Sequence, residues 1–117
     1  MRSENPCFKR RTGVNSSPVP VDHLRLELNP KSFLLLPYHQ LEMFKFEAGD
    51  GQDRLMLLFL NRTVSITGKG LRELVLGLQD RCVEFIKPLP ERYASLAGDE
   101  VSVKRIEIEE SKENSHA

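Results

Sequence analysis

Apolar residues between positions 55 and 87 change from a strand pattern to a helix pattern. Residues 55–60 are a continuous apolar run, which predicts a central strand covered on both faces. Residues 63–67 alternate between polar and apolar types, which predicts a partner strand with one face in the core. Because only Asn61 and Arg62 separate the two runs, the pattern predicts a hairpin with a tight turn.

The residues after this hairpin predict a long amphipathic helix over positions 71–87. Gly70 is the expected N-cap, and Glu73 takes the capping-box position near the positive end of the helix dipole. Pro88 cannot continue a helix and therefore ends it. The apolar residues that recur with the helical period are Leu71, Leu74, Val75, Leu78, Cys82, Phe85 and Ile86.

A second, thinner apolar line lies beside the main stripe of this predicted helix. It consists of Leu76 and Val83, with Gly77 between them in sequence. Glycine inside a helix costs about 1 kcal/mol relative to alanine, which the close approach of a neighbouring backbone would offset. One interpretation is that the core-facing stripe is broad, and the other is contact with a second chain. The second interpretation predicts a homodimer with a candidate interface at Leu76, Gly77 and Val83.

Four further segments predict strands: residues 24–28, 33–36, 40–47 and 101–109. In the last segment the residues suited to the core are Val101, Val103, Ile106 and Ile108. The two valines have one parity and the two isoleucines the other, so one residue is extra if all four face inward. We therefore predict a β-bulge near Lys104 and Arg105.

These elements together predict an α+β fold. The expected architecture is a mostly antiparallel meander of five or six strands, either strongly curved or partly closed, with one long helix packed on it. The final strand follows the helix and is expected to pair with residues 24–28, which would close the sheet edge.

The length of 117 residues is typical of one domain. Residues 1–21 contain three prolines and few large apolar side chains, so we expect a disordered N-terminal arm. Residues 22–109 form the predicted α+β domain, and residues 110–117 are expected to be a disordered tail.

The charge balance argues against general binding to polyanions, because the chain has 17 basic and 17 acidic residues. The basic residues Lys9, Arg10 and Arg11 in the predicted arm are nevertheless a candidate nucleic-acid contact. Cys7 and Cys82 are too few for a disulfide framework, and we expect Cys82 to be buried and Cys7 to be accessible. The sequence has no apolar run of ~18 residues and no signal-like hydrophobic segment at its start, so we expect a cytoplasmic protein without a membrane span.

No motif in the sequence indicates catalysis or a cofactor. Cysteine and histidine spacings do not match a metal site, and residues 68–70 lack the remaining residues of a phosphate-binding loop. A pairing of His39 with Glu42 is the weakest of the functional hypotheses, since no nucleophile accompanies it. We expect no catalytic, metal or cofactor site, and a small non-enzymatic module for protein interaction or self-assembly. The alternative is an accessory domain that binds nucleic acid through the basic arm.

Overall fold

The computed structural model describes residues 7–89 and 101–110, and within these ranges it contains two four-stranded sheets and one α-helix. The strands are β1 (Phe8–Arg10), β2 (His23–Asn29), β3 (Ser32–Pro37), β4 (Leu41–Glu47), β5 (Asp53–Phe59), β6 (Arg62–Lys69), β7 (Val83–Ile86) and β8 (Ser102–Glu110). The helix α1 is Arg72–Gln79. The first sheet has the strand order β1-β7-β2-β3 and the second has the order β4-β5-β6-β8. All strand pairs are antiparallel except β2 with β7.

The predicted α+β class is confirmed, but the strands are divided between two open sheets instead of one curved sheet. The division occurs where β3 ends at Pro37, which has no N–H with which to continue a ladder. A 3-10 turn, Tyr38–Gln40, then leads into β4 of the second sheet. The buried Tyr38 hydroxyl donates a 2.8 Å hydrogen bond to the Val83 carbonyl oxygen, which links this turn back to β7.

Both sheets contribute their inner faces to one hydrophobic core. From the first sheet come Leu24, Leu26, Leu36, Val83 and Ile86; from the second, Leu55, Leu57, Phe59, Val64, Ile66 and Val103; and from the helical segment, Leu71, Leu74 and Leu78. In β5 the buried residues alternate with half-buried ones, so this strand is central as predicted but has only one face in the core.

The meander β4-β5-β6 confirms the predicted strands and the hairpin of the second sheet. The hairpin turn lies one residue earlier than expected, since Arg62 pairs with Phe59 and the turn residues are Leu60 and Asn61. Asn61 does not have the positive φ of a type I′ turn.

The predicted β-bulge is confirmed at Lys104. In the pairing of β6 with β8, Thr67 faces Arg105 while the next residue, Gly68, faces Val103, which leaves Lys104 as the extra residue. At Gly68 a Cβ atom would collide with the carbonyl oxygen of Ser102, so glycine provides the space that the bulge requires.

The predicted pairing of the final strand with residues 24–28 is wrong. β8 pairs with β6, at one edge of the second sheet. The reason is that β2 is flanked by β3 on one side and by β7 on the other, so both of its hydrogen-bonding edges are already used.

The predicted long helix over residues 71–87 is also wrong, because only its first half is helical. Arg81 adopts a left-handed conformation with φ of 57°. The N–H of Arg81 donates to the Leu78 carbonyl at 3.0 Å and that of Cys82 to the Gly77 carbonyl at 3.1 Å, the two bonds of a Schellman motif. The β-branched and aromatic residues that follow then form β7 between β1 and β2.

The start of the helix differs from the prediction as well. The N-cap is Leu71, and no side chain of the capping residue bonds to the helix, so Gly70 and Glu73 do not form a capping box. Gly70 instead provides a turn with φ of 66°, a conformation that favours glycine. The Asp53 carboxylate accepts a hydrogen bond of 3.1 Å from the Leu71 N–H, which places a negative charge near the positive helix end.

Residues 7–21 are part of the folded structure, in contrast to the expected disordered arm. β1 pairs with β7, Cys7 is fully buried, and its carbonyl accepts a hydrogen bond of 2.8 Å from the Lys87 N–H. The composition of residues 1–21 did not predict β1, because a strand of three residues at a sheet edge needs only one or two apolar side chains. Residues 1–6 of the predicted arm and 111–117 of the predicted tail lie outside the described ranges, and Glu110 ends β8.

Candidate interaction surface

The outward-facing side of the first sheet carries apolar, aromatic and basic side chains in one row. Lys9 on β1 lies opposite Phe85 on β7, Phe85 lies beside Arg25 on β2, and Arg25 lies opposite Leu35 on β3. We define this outer face by the residues Lys9, Arg25, Glu27, Phe33, Leu35, Phe85 and Lys87. Side chains alternate between the two faces of a strand, and Leu24 and Leu26 on β2 and Leu36 on β3 accordingly enter the core.

Arg25 occupies the centre of the outer face, between two phenyl rings. Its guanidinium carbon is 5.2 Å from the centroid of the Phe85 ring and 5.9 Å from that of Phe33. Its Nε atom donates to a Glu27 carboxylate oxygen at 2.8 Å, and both side chains are partly exposed. The ion pair and the cation–π contacts therefore orient the guanidinium across the face.

A basic half of the outer face lies on the β1 and β7 side, and consists of Lys9, Phe85 and Lys87. The Lys87 ammonium is 5.6 Å from the Phe85 ring centroid, and Lys9 is exposed. Among the described residues no carboxylate forms an ion pair with Lys9 or Lys87. Neither ammonium group is therefore neutralised by a described carboxylate.

The opposite half of the outer face lies on β3, which is an edge strand within the described part of the chain. Phe33 and Leu35 are 57% and 55% exposed. The six residues of β3 include no charged side chain. The other three edge strands do contain charges: Lys9 and Arg10 on β1; Glu42, Lys45 and Glu47 on β4; and Lys104, Arg105, Glu107, Glu109 and Glu110 on β8. Charges on an edge oppose pairing with another chain, and β3 lacks this protection.

The predicted interface of Leu76, Gly77 and Val83 does not form a common surface. Leu76 is 53% exposed on α1, whereas Val83 is fully buried in β7 and Gly77 is buried as well. A Cβ atom on Gly77 would lie 2.7 Å from Val83 Cγ2 and 2.8 Å from Arg10 Cδ. The close approach that glycine permits is therefore made by side chains of the same chain.

The predicted basic contact residues Lys9, Arg10 and Arg11 are exposed, but they do not belong to a flexible arm. Lys9 and Arg10 are part of β1, and the Arg11 N–H donates to the Cys82 carbonyl at 2.7 Å. The aliphatic part of Arg10 lies against Gly77, so this side chain also covers the helix. Of the three, Lys9 is the one that the register places beside Phe85 on the outer face.

Sequence reasoning missed Arg25, Phe33, Leu35 and Phe85 as candidate site residues. One signal was available, because the uncharged run at residues 33–36 is more apolar than a strand with one exposed face requires. Phe85 was assigned to the buried stripe of the predicted helix, so its half-buried position on the outer face of a sheet was not foreseeable from that assignment. Arg25 gains its position only when β7 and β3 flank β2.

The side chains of Cys7, Cys82 and Tyr38 are buried and do not belong to the outer face. Cys7 and Cys82 are buried thiols, and burial raises the pKa of each above its ordinary value of 9.0. Burial likewise raises the pKa of Tyr38 above its ordinary value of 10.0. All three groups are therefore neutral at physiological pH, which makes the thiols poor nucleophiles.

The described residues contain no group of three or more His, Cys, Asp or Glu side chains arranged to hold a metal ion. Within the same ranges, no helix has the length and apolarity needed to cross a membrane. Comparisons with protein-family models, with curated proteins and with solved structures find no match to this chain.

Proposed function

We propose that this chain is a non-enzymatic interaction module that self-associates by pairing β3 with β3 of a second copy. The observation that supports the proposal most directly is the difference in charge between the edge strands. β3 has no charged residue, whereas β1, β4 and β8 have at least two each. An unpaired edge offers backbone N–H and C=O groups to an added strand, and its side chains decide which strand is accepted.

A second copy is the partner that the charge pattern of β3 favours. Antiparallel pairing about a two-fold axis brings equivalent side chains close together, and like charges there would be destabilising. β3 avoids this repulsion because it is uncharged, and the whole chain has no formal net charge. Pairing would also bring Phe33 and Leu35 of both copies together and remove part of their exposed apolar surface from water.

The test compares two lysine substitutions at equally exposed positions. Leu35 and Met43 are both 55% exposed. Leu35 lies on β3, an edge strand of the first sheet, and Met43 lies on β4, an edge strand of the second sheet. Sedimentation velocity over a concentration series should show a dimer for the wild type and for Met43→Lys. Leu35→Lys should weaken the dimer at least tenfold, since it places two like charges at the new strand pair.

A wild type that remains monomeric at its highest soluble concentration would overturn self-association. A dimer that survives Leu35→Lys, or that Met43→Lys disrupts instead, would overturn the assignment of the interface to β3. Circular dichroism of both variants should match the wild type, because neither position is part of the core.

A further inference from the structure

The basic half of the outer face places two lysines, without ion pairs to the described carboxylates, on either side of the half-buried Phe85 ring. Lys9 and Lys87 flank Phe85, and neither ammonium group has an ion-pair partner among the described carboxylates. Arg25 lies on the other side of Phe85, and its guanidinium group contacts both the Phe85 ring and the Phe33 ring. Cations and rings therefore alternate across three neighbouring strands, β7, β2 and β3, with Lys9 on the adjoining strand β1.

From this arrangement we propose that the outer face binds single-stranded nucleic acid, with phosphates at Lys9 and Lys87 and bases stacked on Phe85 and Phe33. Proteins that bind single strands combine a positive surface for the backbone with aromatic side chains for the bases. β7 and β3 are separated by β2 alone, so the two rings lie on strands about 10 Å apart, given a spacing of roughly 4.8 Å between neighbouring strands. The guanidinium of Arg25, which lies between the rings, offers a third stacking surface.

The chemistry of the face favours a single strand over other anionic partners. An acidic peptide would satisfy the ammonium groups but would not use the faces of the phenyl rings. In a duplex the bases are already stacked and paired, so their faces are not available to Phe33 or Phe85. Because the chain has no formal net charge, attraction must come from this local group of cations, and salt should weaken it strongly.

The first measurement is fluorescence anisotropy of labelled oligothymidylate and oligouridylate with the full chain, at low and at physiological salt. The test variant combines Lys9→Glu with Lys87→Glu. Its control combines Lys69→Glu with Lys104→Glu, which makes the same change of charge at two exposed lysines of the second sheet. The test variant should bind at least tenfold more weakly. The slope of log affinity against log salt should become shallower by about 0.7 for each phosphate that the variant no longer binds.

Stacking is tested separately by Phe85→Leu and Phe85→Tyr. The leucine variant should bind roughly 5- to 150-fold more weakly with little change in salt slope, as expected when one base is no longer stacked. The tyrosine variant keeps an aromatic ring and should bind like the wild type. Phe33→Leu provides the same test at a ring that is 57% exposed, should Phe85→Leu fail to fold.

Several outcomes would overturn nucleic-acid binding by this face. These are absence of binding by the wild type at low salt, an equal decrease of affinity in the control variant, or retention of affinity when the rings are removed. An affinity for duplex DNA equal to that for the single strand, or equally strong competition by polyglutamate, would show that charge attraction alone causes binding. Either result would also refute the proposal. Leu35→Lys leaves the basic half of the outer face intact. The variant should therefore bind the oligonucleotide no less tightly than the wild type, even if it is monomeric. This result would distinguish nucleic-acid binding from the β3 dimer.

Discussion

Truncation of Leu78 to alanine tests the position of α1 against the core. Leu78 is 1% exposed and belongs to the shared hydrophobic cluster, whereas Leu76 on the same helix is 53% exposed. The two positions have the same residue type and lie in the same turn. A comparison of Leu78→Ala with Leu76→Ala therefore isolates burial from residue type.

The expected difference follows from the loss of buried surface and the cavity that remains. Leucine-to-alanine substitutions in protein cores cost about 2–5 kcal/mol. The helix has only eight residues and ends in the Schellman turn directly after Gln79, so its backbone is held at both sides of Leu78 and cannot close the cavity fully. We expect Leu78→Ala to lower the free energy of unfolding by about 3 kcal/mol. Leu76→Ala should stay within about 0.5 kcal/mol of the wild type, since its side chain is largely in water already.

The assay is urea-induced unfolding followed by far-ultraviolet circular dichroism, because the chain has no tryptophan. For a domain of 60–100 residues, 1 kcal/mol changes the melting temperature by roughly 4–8 °C, so Leu78→Ala should melt on the order of 12–24 °C lower. The denaturant slope should be unchanged in both variants. Equal stability of the two alanine variants would refute the assigned inner face of α1.

Three further outcomes are expected from the buried polar groups. Tyr38→Phe removes the hydroxyl that donates to the Val83 carbonyl and should lower the free energy of unfolding by about 1–1.5 kcal/mol in the same urea assay, whereas an unchanged value would mean that the bond is not formed. Burial raises the folded-state pKa of Cys7, Cys82 and Tyr38. The stability linked to these groups is therefore fully present below about pH 9 and decreases as the pH rises further. A free energy of unfolding that stays constant from pH 9 to 11 would contradict this. Both thiols should react slowly with a thiol reagent in the native protein and quickly in urea, and rapid native labelling of Cys7 would show that β1 opens readily.

β8 and β7 differ in how strictly their sequence patterns specify the local structure. In β8 the side chains of a strand must alternate between faces, so the change of parity between Val103 and Ile106 required an extra residue, and the bulge at Lys104 followed. Residues 82–86 presented apolar positions that suit either one face of a helix or a strand in a sheet. The left-handed conformation of Arg81 and the pairing with β1 and β2 made this segment a strand.

The sequence by itself determined the local properties of this protein: the strands of the meander, the hairpin that joins β5 to β6, the inward-facing residues of β2 and β6, and the bulge. These depend on alternation and turn chemistry within a few residues of the chain. The tertiary structure alone decided how the strands divide into two sheets, where the helix ends, and which residues meet on the outer face. Lys9 and Phe85 join Arg25 and Phe33 only because backbone hydrogen bonds connect β7 with β1 and β2, which are far from it in sequence. Each strand can form those bonds with several partners, and burial of the shared core selects among them.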